Sequence, residues 1–204
     1  MMGSEHIDTR PLEPTTRDDI MALRTAASLE NLAVSVYRTA AALPFIKDGN
    51  ATLQEFIATT TRHHEEHAKA FNTAAVQAGG QPQTGTDPKY AAVVQRELPA
   101  ARTPEDVIAL ALSLEDVAAQ TYTKNVGGAG TARLRRLFAS VAPVEAQHCA
   151  TLLTVQSLLG SGDSDLIGIP TDAAALPAAA GTAGFPHTFY PTGNASPNSE
   201  GAAR

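Results

Sequence analysis

Histidine and glutamate are concentrated in one short stretch of this sequence, TRHHEEHAKAF. Imidazole nitrogens and carboxylate oxygens transfer protons, and together they are common ligands of transition-metal ions. Helical side chains advance about 100° per residue, and this spacing places His64 and His67 on the apolar face of a helix, with His63 at its edge. Glu65 and Glu66 point away on opposite flanks. The stretch therefore predicts two buried histidines and two solvated glutamates.

The same periodicity places further acidic and histidine residues on three other apolar stripes. A buried, unpaired carboxylate costs more free energy than the burial of a neighbouring leucine returns, so it persists only when paired, hydrogen-bonded or bound to metal. No Arg or Lys occupies these stripes. A single inward His or Glu is most often a satisfied core group, but a set spread over four helices favours a metal site. The candidate ligands are Glu30, His64, His67, Glu115, Glu145 and His148.

Four helices of similar length must position these residues, and Thr, Pro and Gly punctuate their ends. Short links join the first helix to the second and the third to the fourth, which predicts two antiparallel hairpins. The connection of about 25 residues between the second and third helices is long enough to run the length of a bundle. The sequence thus predicts an all-α fold, a four-helix bundle with one long crossover. The expected helices span residues 16–43, 52–80, 103–128 and 131–160.

The chain divides into three parts by composition. Residues 1–15 form a polar N-terminal arm, and residues 16–160 form the bundle. Residues 161–204 are an Ala-, Pro- and Gly-rich C-terminal tail, for which we expect no regular structure and a path along the surface of the bundle.

An internal repeat links the two hairpins. SLENLAVSVY, which contains Glu30, aligns with SLEDVAAQTY, which contains Glu115. HEEHAKAF aligns more faintly with EAQHCATL and brings His67 over His148. The repeat indicates one helical hairpin used twice.

These residues give the chain a resemblance to the ferritin-like di-iron carboxylate superfamily. In its members two helices each supply a Glu, and the other two each supply a Glu-x-x-His motif. Here Glu30 and Glu115 match the single glutamates, and Glu145-x-x-His148 matches a complete motif, whereas His64 stands where the second motif would begin with Glu. The resemblance covers the four helices and not the tail. It implies a ferritin-like bundle with one long crossover that binds one or two iron ions.

The histidine at position 64 changes the charge that this resemblance implies. Two divalent ions carry four positive charges, and three carboxylates leave one positive charge uncompensated. We therefore expect one ion, two unequal ions, or a metal that accepts more imidazole, with zinc, manganese and copper as alternatives to iron. Tyr37 and Tyr122, two turns beyond the glutamates, either hydrogen-bond the ligands or pack in the core.

The resemblance implies redox chemistry with dioxygen or peroxide at this site, but it leaves open whether the protein is an enzyme. One alternative is a non-catalytic subunit that binds or stores metal. Another is a degenerate bundle that has lost its metal and serves as an interaction or stress protein.

The composition of the chain limits the classes of partner and the cellular location that we expect. The formal net charge is −6 without a long basic run, so we expect no nucleic acid. The single cysteine, Cys149, permits no internal disulfide and is expected in the core. No apolar stretch reaches the roughly 18 residues of a membrane helix, and the N-terminus has no secretory signal. We expect a soluble cytoplasmic protein, although an exported chain with its signal removed would look the same, and a homo-oligomer stays open.

Overall fold

The computed structural model describes residues 14–49, 51–160 and 193–202, and these residues form helices and no strand. The predicted all-α fold is confirmed, while most of the predicted N-terminal arm lies outside the described residues. Four long helices form the bundle, and none of the described helices is long and apolar enough to cross a membrane. The α-helices are α1 (Arg17–Ala41), α2 (Pro44–Lys47), α3 (Ala51–Gln77), α4 (Pro88–Glu97), α5 (Pro104–Gly128), α6 (Ala132–Gly160) and α7 (Asn198–Ala202).

Capping boxes fix the start of two long helices. Thr16 Oγ1 accepts the backbone N–H of Asp19 at 3.1 Å, and the Asp19 carboxylate accepts the backbone N–H of Thr16 at 2.8 Å. Thr103 and Asp106 make the same reciprocal pair at the start of α5. Each box satisfies backbone donors that would otherwise lack partners at a helix N-terminus.

The long helices pack as two hairpins, α1 with α3 and α5 with α6. Their apolar faces form two large core clusters at different heights. One surrounds Phe71 and Phe138, and the other surrounds Ile57 and Leu152. Along each helix the candidate ligands fall between these two clusters, so the bundle has an apolar layer on either side of a polar one.

The segment that joins α3 to α5 runs along α1. It starts with Gly80 against Ile20, near the beginning of α1. The Asn31 side-chain amide then donates to the backbone carbonyl of Gln83 at 3.0 Å, and Ala101 finally packs against Ala40. The segment contains α4 at Pro88–Glu97.

The described part of the C-terminal tail is docked on the bundle and contains a helix, contrary to the expectation of no regular structure. The Ser196 hydroxyl donates to Asp87 Oδ2 at 2.9 Å, and the Ser196 backbone N–H donates to Thr121 Oγ1 at 3.1 Å. In α7, Gly201 approaches α1 so closely that an added Cβ would overlap Ser28 Oγ. The expected path of the tail along the surface of the bundle agrees with this docking, but the sequence did not identify the contacts, because they depend on residues more than 70 positions away.

Candidate metal centre

The structure brings all six predicted ligands together at mid-height in the bundle. Their side chains come from four different helices and are 14% exposed at most, the largest value belonging to His67. Glu65 and Glu66, the neighbours predicted to face solvent, are exposed. Helical periodicity therefore distinguished correctly between the inward-facing and the outward-facing residues of this part of α3.

Two groups of donor atoms form within this cluster, each with all its atoms within 4.8 Å of one another. The first group contains Glu30, His64, His67 and Glu145, and the second contains His64, Glu115, Glu145 and His148. His64 and Glu145 thus belong to both. We call the first group the α1-side set and the second the α5-side set.

The imidazole of His64 lies at the centre between two carboxylates. Its Nδ1 is 2.7 Å from Glu30 Oε2, and its Nε2 is 3.1 Å from Glu115 Oε1. Ionised carboxylates only accept hydrogen bonds, so both ring nitrogens carry protons when Glu30 and Glu115 are ionised. Burial acts to lower the pKa of His64, but the charge of Glu115 and the other carboxylates outweighs it and holds the pKa well above its ordinary value.

The same attraction acts on the carboxylates, with a different outcome for each. Burial acts to raise the pKa of Glu115, but His64 and His148 outweigh it and hold the pKa well below its ordinary value. The pKa of Glu30 is lowered against burial by His64 and His67. For Glu145, burial and the nearby charge of Glu30 together raise the pKa. Of the three carboxylates, Glu145 is therefore the one whose negative charge the neighbouring histidines stabilise least.

Two buried atoms of the cluster have no hydrogen-bond partner among the described residues: His67 Nδ1 and Glu145 Oε1. They lie 2.8 Å apart, at ion-pair distance but without hydrogen-bond geometry. Buried polar atoms are nearly always satisfied, so an orphaned nitrogen beside an orphaned oxygen calls for an explanation. A cation bound by both atoms would satisfy them. The mixed imidazole and carboxylate donors suit iron, zinc or manganese, and the residues therefore fit a transition-metal ion.

Because His64 belongs to both donor sets, it limits the number of ligands available when two ions are bound at the same time. A neutral imidazole has one free lone pair, so His64 can serve one ion only. Glu145 has no such limit, because its Oε1 faces His67 and its Oε2 lies 3.3 Å from His148 Nδ1. Two ions would then have unequal ligand sets of four and three residues, with Glu145 contributing to both.

Tyr37 and Tyr122 tie the two hairpins together through the glutamates. Tyr37 of α1 donates its hydroxyl to Glu115 of α5 at 2.5 Å, and Tyr122 of α5 donates to Glu30 of α1 at 2.6 Å. Burial, together with these carboxylates, raises the pKa of both phenols well above its ordinary value, so both stay protonated donors. Both tyrosines are also packed in the core, so the two roles left open by the sequence coexist.

Beside the cluster, between α1 and α5, lies a cavity of about 20 Å³. That volume holds about one water-sized molecule. Its wall includes Glu30, Glu115, His64 and the two tyrosines, and the remaining lining is apolar.

His63 has a role that the sequence did not indicate. It is exposed, yet its Nδ1 lies 3.0 Å from Nε2 of His148, and the two ring planes are inclined by 10° with their centroids 5.3 Å apart. Burial and the charge of His148 lower the pKa of His63, so this imidazole is neutral near neutral pH. Its position at the edge of the apolar face was the only available signal, because its partner is 85 residues away.

A family model described as "Ferritin-like domain" matches residues 18–158, which include all six candidate ligands. Searches of curated proteins and of solved structures returned no match.

Proposed function

Since this chain belongs to the ferritin-like domain family, we propose that it binds iron between its helices for redox chemistry with dioxygen or peroxide. One observation carries this proposal: six nitrogen- and oxygen-donor side chains, five of them buried and His67 half-buried, converge in two overlapping sets. The small cavity against Glu30 and Glu115 supports a reactant as small as dioxygen or peroxide.

Each residue has a distinct part in this proposal. Glu30, Glu115 and Glu145 supply the negative charge, and Glu145 joins the two donor sets. His64, His67 and His148 are terminal ligands: His67 belongs to the α1-side set, His148 to the α5-side set, and His64 to both. A bound iron ion would supply the electrons for reduction of the oxidant. Tyr37 and Tyr122 hold the carboxylates in orientation, and the apolar layers above and below exclude bulk water.

Metal analysis of protein purified without chelator, followed by oxygen uptake after addition of ferrous iron, tests the proposal. We expect at least one transition-metal ion per chain and oxygen consumption that depends on the protein. Bound metal without oxygen or peroxide turnover would instead identify a binding or storage subunit. Protein that takes up no metal, even when iron, zinc and manganese are offered, would contradict the proposal.

A second candidate function is supported by the central position of His64. With both ring nitrogens protonated, it pairs with both Glu30 and Glu115 and offsets one of their two negative charges without any metal. A bundle in which a protonated His64 takes the place of a metal ion could serve as an interaction or stress protein. The orphaned atoms of His67 and Glu145 weigh against this alternative.

Substitution of His64 by glutamate should convert the site into one with four carboxylates. We expect ferrous-iron affinity to rise by more than about tenfold, because an added negative charge about 4 Å from a cation is worth about 4 kcal/mol even at an effective dielectric of about 20. The metal-free variant should melt at a lower temperature than the parent, since the cation between two carboxylates is lost. Iron titration and thermal melts measure both effects.

His64→Gln is the matched control, because it removes the imidazolium without adding a carboxylate. It should lose stability without gaining iron affinity. Equal iron affinity in His64→Glu and the parent would show that the charge argument is wrong.

A further inference from the structure

His148 faces the cluster with one nitrogen and the protein surface with the other. Its Nδ1 lies 3.2 Å from Glu115 Oε2 and 3.3 Å from Glu145 Oε2. Its Nε2 lies 3.0 Å from Nδ1 of His63, on the neighbouring helix α3. His148 is buried and His63 is exposed, so this contact connects the donor set to the surface of the bundle.

We propose that His63 is a positioning residue that makes Nδ1 of His148 the metal-binding atom. In this arrangement His63 Nδ1 accepts the hydrogen of His148 Nε2, and the inward Nδ1 keeps its lone pair for the ion. The inference rests on the proposed function, because it assumes that the α5-side set binds metal.

The chemistry of imidazole supports this role. A neutral histidine carries one ring proton, and the hydrogen bond made by one nitrogen decides which nitrogen is free to bind metal. Metal-ligating histidines almost always donate their other N–H to an acceptor, and loss of that acceptor typically weakens metal binding about 10–100-fold. Among the described residues the structure places His63 at that position for His148.

The type of acceptor also matters in this cluster. A carboxylate in place of His63 would add negative charge beside Glu115 and Glu145, whereas a neutral imidazole orients His148 without doing so. His63 therefore leaves the charge of the site at three carboxylates. We infer that it sets the geometry of the α5-side set more than its charge.

A series of substitutions at this exposed position separates the hydrogen bond from packing. Asparagine places a neutral acceptor oxygen where His63 has Nδ1, and leucine places a methyl group there. We expect His63→Leu to weaken Co²⁺ binding by about 10–100-fold, and His63→Asn to restore most of that loss. Glu66→Gln, an exposed change one helical turn along α3, should leave Co²⁺ affinity unchanged. Titration of each purified, full-length variant by Co²⁺ absorption gives the affinities.

A direct readout of the tautomer completes the test. In zinc-loaded parent protein, nitrogen NMR should show the proton of His148 on Nε2 and the metal on Nδ1. Zinc on Nε2, or equal Co²⁺ affinities for His63→Leu and the parent, would overturn the role of His63. Equal losses in His63→Leu and His63→Asn would also overturn it, since packing alone would then explain both. A parent protein that binds neither ion would contradict the proposed function itself.

Discussion

Replacing Glu145 by glutamine should remove metal from both donor sets, with an expected loss of affinity of about 100-fold or more for each ion. Even outer-shell changes at metal sites cost about 10–100-fold, and Glu145 faces both sets with one oxygen each. The amide keeps the volume of the side chain but supplies no charge. Metal content after equilibration with ferrous iron or zinc, measured per folded chain, tests this expectation.

Glu30 and Glu115 provide a graded comparison, because each belongs to one set only. Glu30→Gln should remove the ion of the α1-side set, and Glu115→Gln that of the α5-side set. If the parent binds two ions, each of these variants should keep one. Should all three variants lose the same amount of metal, the division into two sets would be wrong.

Exposed glutamates provide the negative controls. Glu65 and Glu66 lie beside His64 in sequence but face away from the cluster. Their glutamine variants should bind as much metal as the parent. Metal loss in these controls to the same extent as in Glu145→Gln would contradict the ligand assignment.

Zinc at about 100 times its dissociation constant should raise the melting temperature by about 5–10 °C near neutral pH. Binding to the folded state alone adds about 2.7 kcal/mol at that concentration. A domain of this size gains about 2–4 °C for each kcal/mol. Differential scanning calorimetry with zinc and with a chelator gives the shift, and Glu145→Gln should show little of it.

The size of this shift should depend on pH in a defined direction. In the metal-free protein, burial acts to lower the pKa of His67 and His148, but carboxylates outweigh it and raise both from 6.5 to about 9. The two imidazoliums therefore stabilise the metal-free fold fully below pH 6.5, and this stabilisation is lost as the pH rises through 9.

Metal binding has the opposite pH dependence, because ligating nitrogens must be unprotonated. Each proton displaced costs about tenfold in apparent affinity for every pH unit below the pKa. The zinc-induced shift should therefore grow from about pH 6 to about pH 9 and be small below about pH 5. A shift that stays constant over this range would show that neither imidazole gives up a proton to the ion.

The sequence by itself determined the four long helices and the identity of the inward polar residues. Both follow from local rules: Thr16 and Thr103, which the structure shows as N-caps, mark where two helices begin, and a period of 3.6 residues decides which side chains share a face. Glu30 and Glu115 interrupt apolar stripes that must be buried. Because burying an unpaired carboxylate costs free energy, the simplest expectation was that these glutamates share one site, before any distance was known.

Only the tertiary structure decided how these residues meet. Helical phase gives a direction for each side chain but neither the height nor the distance at which two helices bring side chains together. The central position of His64, the crossed bonds from Tyr37 to Glu115 and from Tyr122 to Glu30, and the contact between His63 and His148 all join residues at least 34 positions apart. Such contacts depend on the packing of whole helices. For the same reason, the sequence could not show that His63, at the edge of its apolar face, contacts His148, because this contact depends on how α6 packs beside α3.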